Sequence, residues 1–208
     1  MPPSPVSLAA ATVRRGPTTV LDRLDATFEP GSVTVVAGAN GSGKSTLLEV
    51  VAGVLPLTAG RVSGTGSGVA HVAQTVAGSG PPLTVGATVT MGRWSALRWW
   101  CPPRRSDRRL VAGLLDRLDL TDLADRPLDQ LSGGQRQRAL VALGLAQQAP
   151  VLLVDEPTAG VDARSLRLVL DALAAEAARG VVVVHAAHDP EALAAADRVL
   201  TLRDGTLH

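Results

Sequence analysis

The chain has 208 residues, of which 46% are hydrophobic, so it is long and apolar enough to fold around a core of its own. Its 20 basic and 19 acidic residues leave a formal net charge of +1, which gives no electrostatic case for nucleic acid or an anionic membrane as the main partner. The single cysteine, Cys101, excludes an internal disulfide and a cysteine metal cluster.

The N-terminal part of the chain predicts strands and tight turns. Residues 6–14 are short and apolar, which is typical of an edge strand, and residues 18–28 alternate loosely between apolar and polar. Residues 33–37 are mostly β-branched and apolar, so they predict a buried strand. Residues 61–63 and 69–73 predict a tight hairpin, because the segment between them is rich in glycine, serine and threonine.

Residues 76–130 differ in character and predict helices. One helix is predicted over residues 85–97, with Thr84 as its cap, and another over residues 107–118, where leucines recur at helical spacing. We interpret residues 78–129 as an inserted helical subdomain. All the tryptophans of the chain fall in this part: Trp94, Trp99 and Trp100.

After the insert, helices and strands alternate. Helices are predicted over residues 135–147, over 162–179 with Asp162 as the cap, and over 189–196, where Asp189 and Pro190 start the helix. Apolar strands are predicted over residues 151–154, 181–184 and 199–202. Such alternation predicts an α/β domain with a mostly parallel sheet and an antiparallel patch near the N-terminus. We expect one domain, whose core comprises residues 1–77 and 130–208.

One stretch carries the clearest chemistry: Gly38, Ala39, Asn40, Gly41, Ser42, Gly43, Lys44, Ser45 and Thr46. It fits the phosphate-loop pattern, and it lies between a predicted strand and helix-forming residues. Glycines let such a loop turn its N–H groups inward, and the helix N-terminus adds partial positive charge. Lys44 can then reach the β- and γ-phosphates of a nucleotide, and the hydroxyl of Ser45 can bind Mg²⁺. The alternative, a glycine-rich turn with an incidental lysine, is disfavoured by the flanking strand and helix.

Two acidic residues, Asp155 and Glu156, directly follow the apolar strand at 151–154. The carboxyl end of a parallel strand lies at the same edge of the sheet as a phosphate loop. There Asp155 can hold Mg²⁺ through water, and Glu156 can take a proton from an attacking water. The alternative is a strand that simply exits into solvent.

A second phosphate-binding surface is predicted at Leu131-Ser132-Gly133-Gly134-Gln135, from a serine hydroxyl, two glycine amides and a helix N-terminus. One subunit needs only one such surface for its own nucleotide. A second surface therefore suggests a site that another copy of the chain completes. An ordinary capped helix is the alternative.

Taken together, these motifs resemble the nucleotide-binding subunit of ABC transporters over nearly the whole chain. Residues 38–45 match the Walker A motif, 151–156 the Walker B motif, 131–135 the signature, Gln74 the Q-loop glutamine, 159–162 the D-loop and His188 the switch histidine. The resemblance implies a RecA-like P-loop NTPase core with an N-terminal antiparallel β patch and an inserted helical subdomain.

The same resemblance implies a mechanism. Two copies would pack head to tail, with ATP between Lys44 of one and Ser132 of the other. Glu156 would be the general base and His188 would contact the γ-phosphate. Gln74 would touch Mg²⁺ and the water, and would link the core to the helical insert.

Two positions depart from the family's pattern. The family usually places an aromatic ring near position 15 to stack on adenine, whereas this chain has Arg15 and no tyrosine at all. A guanidinium plane can stack on a base, which predicts weaker base selectivity. The helix after the signature usually carries Ala-Arg, whereas Ala142 is followed here by Leu143.

The predicted function is ATP hydrolysis that energises a metal-ion importer. No apolar run reaches 18 residues, and residues 1–5 lack the features of a signal peptide. We therefore expect a cytoplasmic subunit held at the inner face of the membrane by a separate polytopic permease, together with a substrate-binding protein. Segments 83–94 and 104–108 resemble the ATPases of zinc and manganese importers, and siderophore and haem importers share part of this pattern. A soluble ABC ATPase of iron–sulfur assembly is a further alternative.

Overall fold

The computed structural model describes residues 4–66, 68–73, 83–94, 102–157 and 161–208. Its strands are β1 (Val6–Arg15), β2 (Thr18–Phe28), β3 (Val33–Ala37), β4 (Ala59–Ser63), β5 (Val69–Val72), β6 (Val151–Asp155), β7 (Val182–Ala186), β8 (Arg198–Arg203) and β9 (Thr206–Leu207). Its helices are α1 (Lys44–Val51), α2 (Val85–Met91), α3 (Arg105–Arg117), α4 (Gly133–Ala146), α5 (Ala163–Ala178) and α6 (Pro190–Ala194). Among the described residues, no helix combines the length and the apolar character needed to cross a bilayer.

The chain divides into two units. The first comprises residues 1–74, 149–156 and 173–208, and the second comprises residues 75–148 and 157–172. The second unit contains the predicted insert together with α4 and the beginning of α5.

The larger sheet of the first unit has the strand order β5-β6-β7-β3-β8-β9. All neighbouring strands in it are parallel except β8 and β9, which form an antiparallel hairpin. Every residue of β6 is buried, which confirms the prediction that its continuous apolar run lies inside a parallel sheet. β7 lies between β3 and β6, so the segments that follow these three strands leave the sheet at its carboxyl edge.

The smaller, antiparallel sheet has the order β2-β1-β4. β1 is therefore its central strand, and the prediction of an edge strand at residues 6–14 is wrong. Ser7 lies opposite Thr27 on one side and Ser63 on the other, so β1 has hydrogen-bonding partners along both sides. A short apolar segment does not reveal how many partner strands it has, because its own side chains are the same in either position.

The predicted hairpin between residues 61–63 and 69–73 is also wrong. β4 pairs with β1, with Val62 opposite Leu8, whereas β5 pairs with β6, with Val69 opposite Val151. β4 is mostly exposed, which suits a strand at the edge of the smaller sheet, but two of the four β5 residues are buried. The exposed strand lies at the edge of the smaller sheet and the half-buried strand lies in the larger one. The turn-like segment between them connects the two sheets.

Side chains from both sheets and α1 share one hydrophobic core. Leu47 and Leu48 on α1 are fully buried in it, beside Phe28 and Leu153. Burying a leucine side chain contributes about 1.5–3 kcal/mol, so this packing holds α1 firmly against the strands. The core therefore fixes the position of the loop between β3 and α1.

In the second unit, α2 packs closely on α4. Thr84 caps α2 as predicted, since its hydroxyl accepts a hydrogen bond from the Ala87 N–H at 3.2 Å. α2 ends at Met91, and the rest of the predicted helix, residues 95–97, lies outside the described residues. A Cβ at Gly92 would lie only 2.4 Å from the carbonyl oxygen of Leu143, so glycine permits this close approach. Nothing in the structure explains why leucine stands at position 143.

His185, at the centre of the parallel sheet, predicts a measurable dependence of stability on pH. Its side chain is fully buried, neither ring nitrogen has a hydrogen-bond partner among the described residues, and burial lowers its pKa to about 4. The unfolded chain therefore takes up a proton near pH 6.5, where the folded chain does not. As the pH falls from about 6.5 to about 4, we expect this histidine to lower the free energy of unfolding by about 3 kcal/mol.

Urea unfolding of the natural chain and of the variant His185→Leu, measured at pH 7.5, 6.0 and 4.5, tests this prediction. The variant should lose part of the acid sensitivity, because leucine does not titrate. His208→Leu, at an exposed position, is the matched control and should leave the pH dependence unchanged. Equal pH dependence in the natural chain and in His185→Leu would contradict the prediction.

Candidate functional site

The loop between β3 and α1 is shaped for close contact with phosphate. Gly38, Gly41 and Gly43 have φ angles of +157°, +81° and +106°, which residues with a Cβ rarely adopt. A Cβ at Gly38 would lie 2.4 Å from the carbonyl oxygen of Leu202, so the loop passes directly over β8. Gly43 precedes α1 and offers no side-chain cap, which leaves the first N–H groups of the helix available to an anion.

Lys44 lies at the centre of this loop. Its side chain is 5% exposed, and its Nζ donates hydrogen bonds to the carbonyl oxygens of Gly38 at 2.9 Å and Ala39 at 3.1 Å. The same Nζ lies 3.7 Å from Oε1 of Glu156. The ammonium group is thus held between the loop and the end of β6. A cavity of about 290 Å³ opens here, lined by Val20, Asn40, Gly41, Gly43, Lys44, Ser45, Thr46 and Glu156.

Glu156 has an unusual backbone conformation. Its φ is +47°, in the left-handed region that a glutamate rarely occupies, and its N–H donates to the carbonyl oxygen of Ala186 on β7 at 3.1 Å. Such strain concentrates at functional sites, where the surrounding structure holds a side chain in a required direction. The turn brings the Glu156 carboxylate to the phosphate cavity instead of letting β6 exit into solvent.

The site suits a hard cation bound by oxygen ligands. Asp155 is 4% exposed, and its Oδ1 has no hydrogen-bond partner among the described residues. A buried carboxylate oxygen without a partner is costly, and a cation would offset that cost. Mg²⁺ is bound in proteins by one or two carboxylates together with phosphate oxygens and water. The donor set of Asp155 and the Ser45 hydroxyl therefore fits Mg²⁺.

The segment before α4 caps the helix, which was the alternative to a second phosphate-binding surface in the sequence analysis. The hydroxyl of Ser132 accepts from the Gln135 N–H at 3.3 Å, and Oε1 of Gln135 accepts from the Ser132 N–H at 3.0 Å. This reciprocal arrangement is a capping box. It does not exclude a phosphate ligand, because the Ser132 hydroxyl accepts one bond and still has a proton to donate. Around Gly133, a Cβ would meet no atom within 4 Å, so the loop is open there.

The start of α4 packs tightly on the start of α5. A Cβ at Gly134 would lie 2.7 Å from Oγ of Ser165 and 2.9 Å from Oδ2 of Asp162. Asp162 caps α5 as predicted, because its carboxylate accepts from the Ser165 N–H at 2.9 Å and from the Ser165 hydroxyl at 2.8 Å. Both bonds hold the pKa of the Asp162 carboxyl below its usual value. Only glycine at position 134 leaves room for this contact.

An ion-pair junction that the sequence analysis missed joins the same helices further along. The guanidinium of Arg138 on α4, which is buried, donates to the carbonyl oxygens of Leu118 and Asp119 just after α3. The Asp119 carboxylate lies 2.8 Å from Nη2 of Arg164 on α5 and 3.5 Å from Nη1 of Arg138. These contacts tie α3, α4 and α5 together, and no local pattern could reveal them, since the three residues are far apart in sequence.

The remaining predicted site residues are placed as follows. His188 is exposed after β7, and the next residue, Asp189, caps α6 by accepting from the Ala192 N–H at 2.8 Å. Arg15 forms an exposed ion pair, 3.1 Å long, with Glu49 on α1. Gln74 lies outside the described residues, as do Trp99, Trp100 and residues 159–160 of the predicted D-loop.

The parallel sheet, the glycine loop around Lys44 and the acidic end of β6 together define a P-loop nucleotide-binding protein. A family model described as "ABC transporter" matches residues 21–159. The zinc import ATP-binding protein ZnuC of Cereibacter sphaeroides is 38% identical over 196 residues, which covers 91% of this chain and 75% of that protein. The hemin import ATP-binding protein HmuV of Streptomyces coelicolor is 38% identical over 228 residues, which covers all of this chain and 80% of that protein.

A solved transporter structure, described as being of metal-chelate type and in an inward-facing conformation, superposes with a TM-score of 0.86. It is 30% identical, and the match covers 98% of this chain and 81% of that one. The chain therefore belongs to the ABC transporter family, and it is an ATP-binding cassette ATPase.

Proposed function

We propose that this chain is the ATP-hydrolysing subunit of an ABC importer for a metal ion, zinc or manganese. The observation that supports it most directly is the 3.7 Å approach of Oε1 of Glu156 to Nζ of Lys44, both of which line the phosphate cavity. One residue there is suited to holding the nucleotide and the other to activating water. The import of metal is supported by the likeness to the zinc import protein and by the metal-chelate type of the solved relative.

Binding would begin at the loop. The N–H groups at the start of α1 and the ammonium of Lys44 would surround the β- and γ-phosphates. Ser45 and Asp155 would hold Mg²⁺, with Gln74 as a further ligand, and Mg²⁺ when bound would neutralise charge on the phosphates. Arg15 would lie against the base.

Glu156 would then act as the general base that takes a proton from the attacking water. His188, exposed at the end of β7, would contact the γ-phosphate. Ser132 and the open backbone at Gly133 and Gly134 would complete the site from a second copy of the chain, packed head to tail. Hydrolysis would therefore require two chains, and a polytopic permease and a substrate-binding protein would complete the transporter at the inner face of the membrane.

Deletion of the gene tests the cargo. Cells without the chain should contain less zinc or manganese, and growth should recover when that metal is added or when the natural chain is restored. A Lys44→Ala chain is the matched control and should not restore growth. Recovery with haem or a siderophore alone would instead support a haem or siderophore importer, a possibility raised by the likeness to the hemin import protein. Purification of the tagged chain with a soluble assembly and no membrane protein would contradict the proposal and favour iron–sulfur assembly.

Arg15 predicts permissive recognition of the base. No aromatic ring stands at this position, and the Arg15 guanidinium is anchored to Glu49 at 3.1 Å, where a base could stack on its plane. We expect GTP to compete with ATP within roughly tenfold, about 1.4 kcal/mol, in displacement of a fluorescent nucleotide. The variant Arg15→Tyr, which supplies a ring, should bind ATP more tightly than the natural chain. A preference for ATP far above tenfold in the natural chain would contradict this prediction.

A further inference from the structure

The start of α3 carries a dense group of exposed arginines, which we call the arginine patch: Arg104, Arg105, Arg108 and Arg109. Within the part of the chain that the structure describes, none of the four forms an ion pair. The one carboxylate nearby in sequence, Asp107, is buried, and its Oδ1 lies 2.9 Å from Nε of Arg93. The charge of Asp107 is thus already balanced, and the four arginines face solvent.

The stability of α3 does not explain the arginine patch. The N-terminal end of a helix carries partial positive charge, which favours acidic residues and disfavours basic ones in the first turn. Arg104 and Arg108 are four residues apart, as are Arg105 and Arg109, so like charges also repel along the helix. The arrangement costs the isolated helix free energy, and an anionic partner would offset that cost.

An exposed tryptophan follows Arg93, the residue that binds Asp107 in the first turn of α3. The Trp94 side chain is 62% exposed, the largest of the exposed apolar side chains among the described residues. The guanidinium of its neighbour Arg93 donates to Asp107 in the first turn of α3 at 2.9 Å and to the carbonyl oxygen of Ala146 at 2.8 Å. These bonds tie the residue before Trp94 to the first turn of α3. A tryptophan ring, with its apolar body and polar N–H, is suited to the interface between lipid and water.

We propose that the arginine patch and Trp94 bind directly to the headgroup layer of an anionic phospholipid membrane. Arginine forms paired hydrogen bonds with phosphate, and four arginines on one helix end match a surface that presents many phosphates in a plane. The net charge of +1 over the whole chain conceals this local concentration. None of these residues belongs to the nucleotide site described above.

Flotation of the purified chain with lipid vesicles tests the proposal. The chain should bind vesicles that contain phosphatidylglycerol, should not bind pure phosphatidylcholine, and should dissociate as salt is raised. The double variant Arg105→Glu, Arg108→Glu should bind the anionic vesicles at least about 30-fold more weakly, because each arginine near such a surface contributes about fivefold. Trp94→Ala should weaken binding but leave its salt dependence unchanged.

The matched control is Arg61→Glu, Arg203→Glu, which changes the net charge equally at two exposed positions outside α3. It should bind anionic vesicles within about threefold of the natural chain, since the arginine patch is intact. Glutamate in the first turn favours the helix, so the variant Arg105→Glu, Arg108→Glu, called the reversal variant, should fold. The variant Arg105→Gln, Arg108→Gln removes the same two charges without reversing them and provides a second test.

Three results would overturn the proposal. They are equal binding by the natural chain and the reversal variant, equal binding to both kinds of vesicle, and binding that requires a permease in a bilayer without anionic lipid. The last of these would assign the patch to a protein partner. None of these results depends on the proposed transport function, because the assay measures lipid binding by the purified chain without ATP.

Discussion

The variant Glu156→Gln is expected to keep its affinity for ATP, while its rate of hydrolysis falls on the order of 100-fold or more. Glutamine has the shape of glutamate but cannot accept the proton of the attacking water at neutral pH. The Glu156 carboxylate lies 3.7 Å from the Lys44 ammonium in the phosphate cavity, so its removal leaves the lysine free to bind phosphate. Loss of a negative charge there also reduces repulsion of the nucleotide.

Because hydrolysis would stop while binding persists, ATP should hold two chains together. Size-exclusion chromatography with ATP should show a dimer of Glu156→Gln, and the natural chain should return to monomer as ATP is consumed. Glu191→Gln, a change of the same kind at an exposed position on α6, is the control and should hydrolyse ATP at the natural rate. Turnover near the natural rate in Glu156→Gln would remove Glu156 as the general base.

Ser132→Arg is expected to abolish hydrolysis while each chain still binds nucleotide, whereas Lys44→Ala should weaken binding itself. Ser132 lies in the second unit, and the phosphate cavity is lined by residues of the first. If a second copy supplies Ser132, a bulky side chain there blocks closure of the shared site, while the phosphate loop of each chain keeps its own residues. ATPase rate and nucleotide affinity, measured on the same preparations, separate the two effects.

The cap formed by Ser132 allows a sharper version of this test. Arginine removes the cap of α4, which costs about 1 kcal/mol, so lost activity could reflect a weakened helix. Aspartate and asparagine both cap helices well. Ser132→Asp should therefore preserve the melting temperature but abolish hydrolysis, because its charge repels the γ-phosphate, and Ser132→Asn should retain partial activity. Equal activity in the Asp and Asn variants would show that no phosphate approaches position 132.

Mixing the two inactive chains addresses whether sites are shared. In a head-to-tail dimer of Ser132→Arg with Lys44→Ala, one site carries both changes and the other carries neither. Activity regained on mixing would demonstrate a composite site. If none returns, either the sites are separate or both must act together, and a structure of the ATP-bound dimer of Glu156→Gln would decide.

Much of the candidate site could be predicted because its chemistry is local. The phosphate loop needs glycines, a lysine and a hydroxyl residue within nine consecutive positions, and those positions are contiguous in the chain. Helix starts were predictable for the same reason: Thr84, Asp162 and Asp189 each accept a hydrogen bond from an N–H three residues later. The roles of Gln74, Ser132 and His188 remain predictions, since they concern contacts with the nucleotide, with Mg²⁺ or with a second copy of the chain.

The amino-acid pattern was enough to predict that a buried strand leads into a phosphate loop and a helix, and that an acidic pair follows a second buried strand, because both patterns lie within a few residues. Strand pairing, in contrast, emerged from the folded chain, in which β1 lies at the centre of its sheet and β4 and β5 belong to different sheets. The left-handed turn at Glu156 and the ion-pair junction at Asp119 likewise became visible only in the folded chain. Pairing, strain and buried ion pairs depend on partners that are distant in the chain, and no local pattern encodes which partner is met.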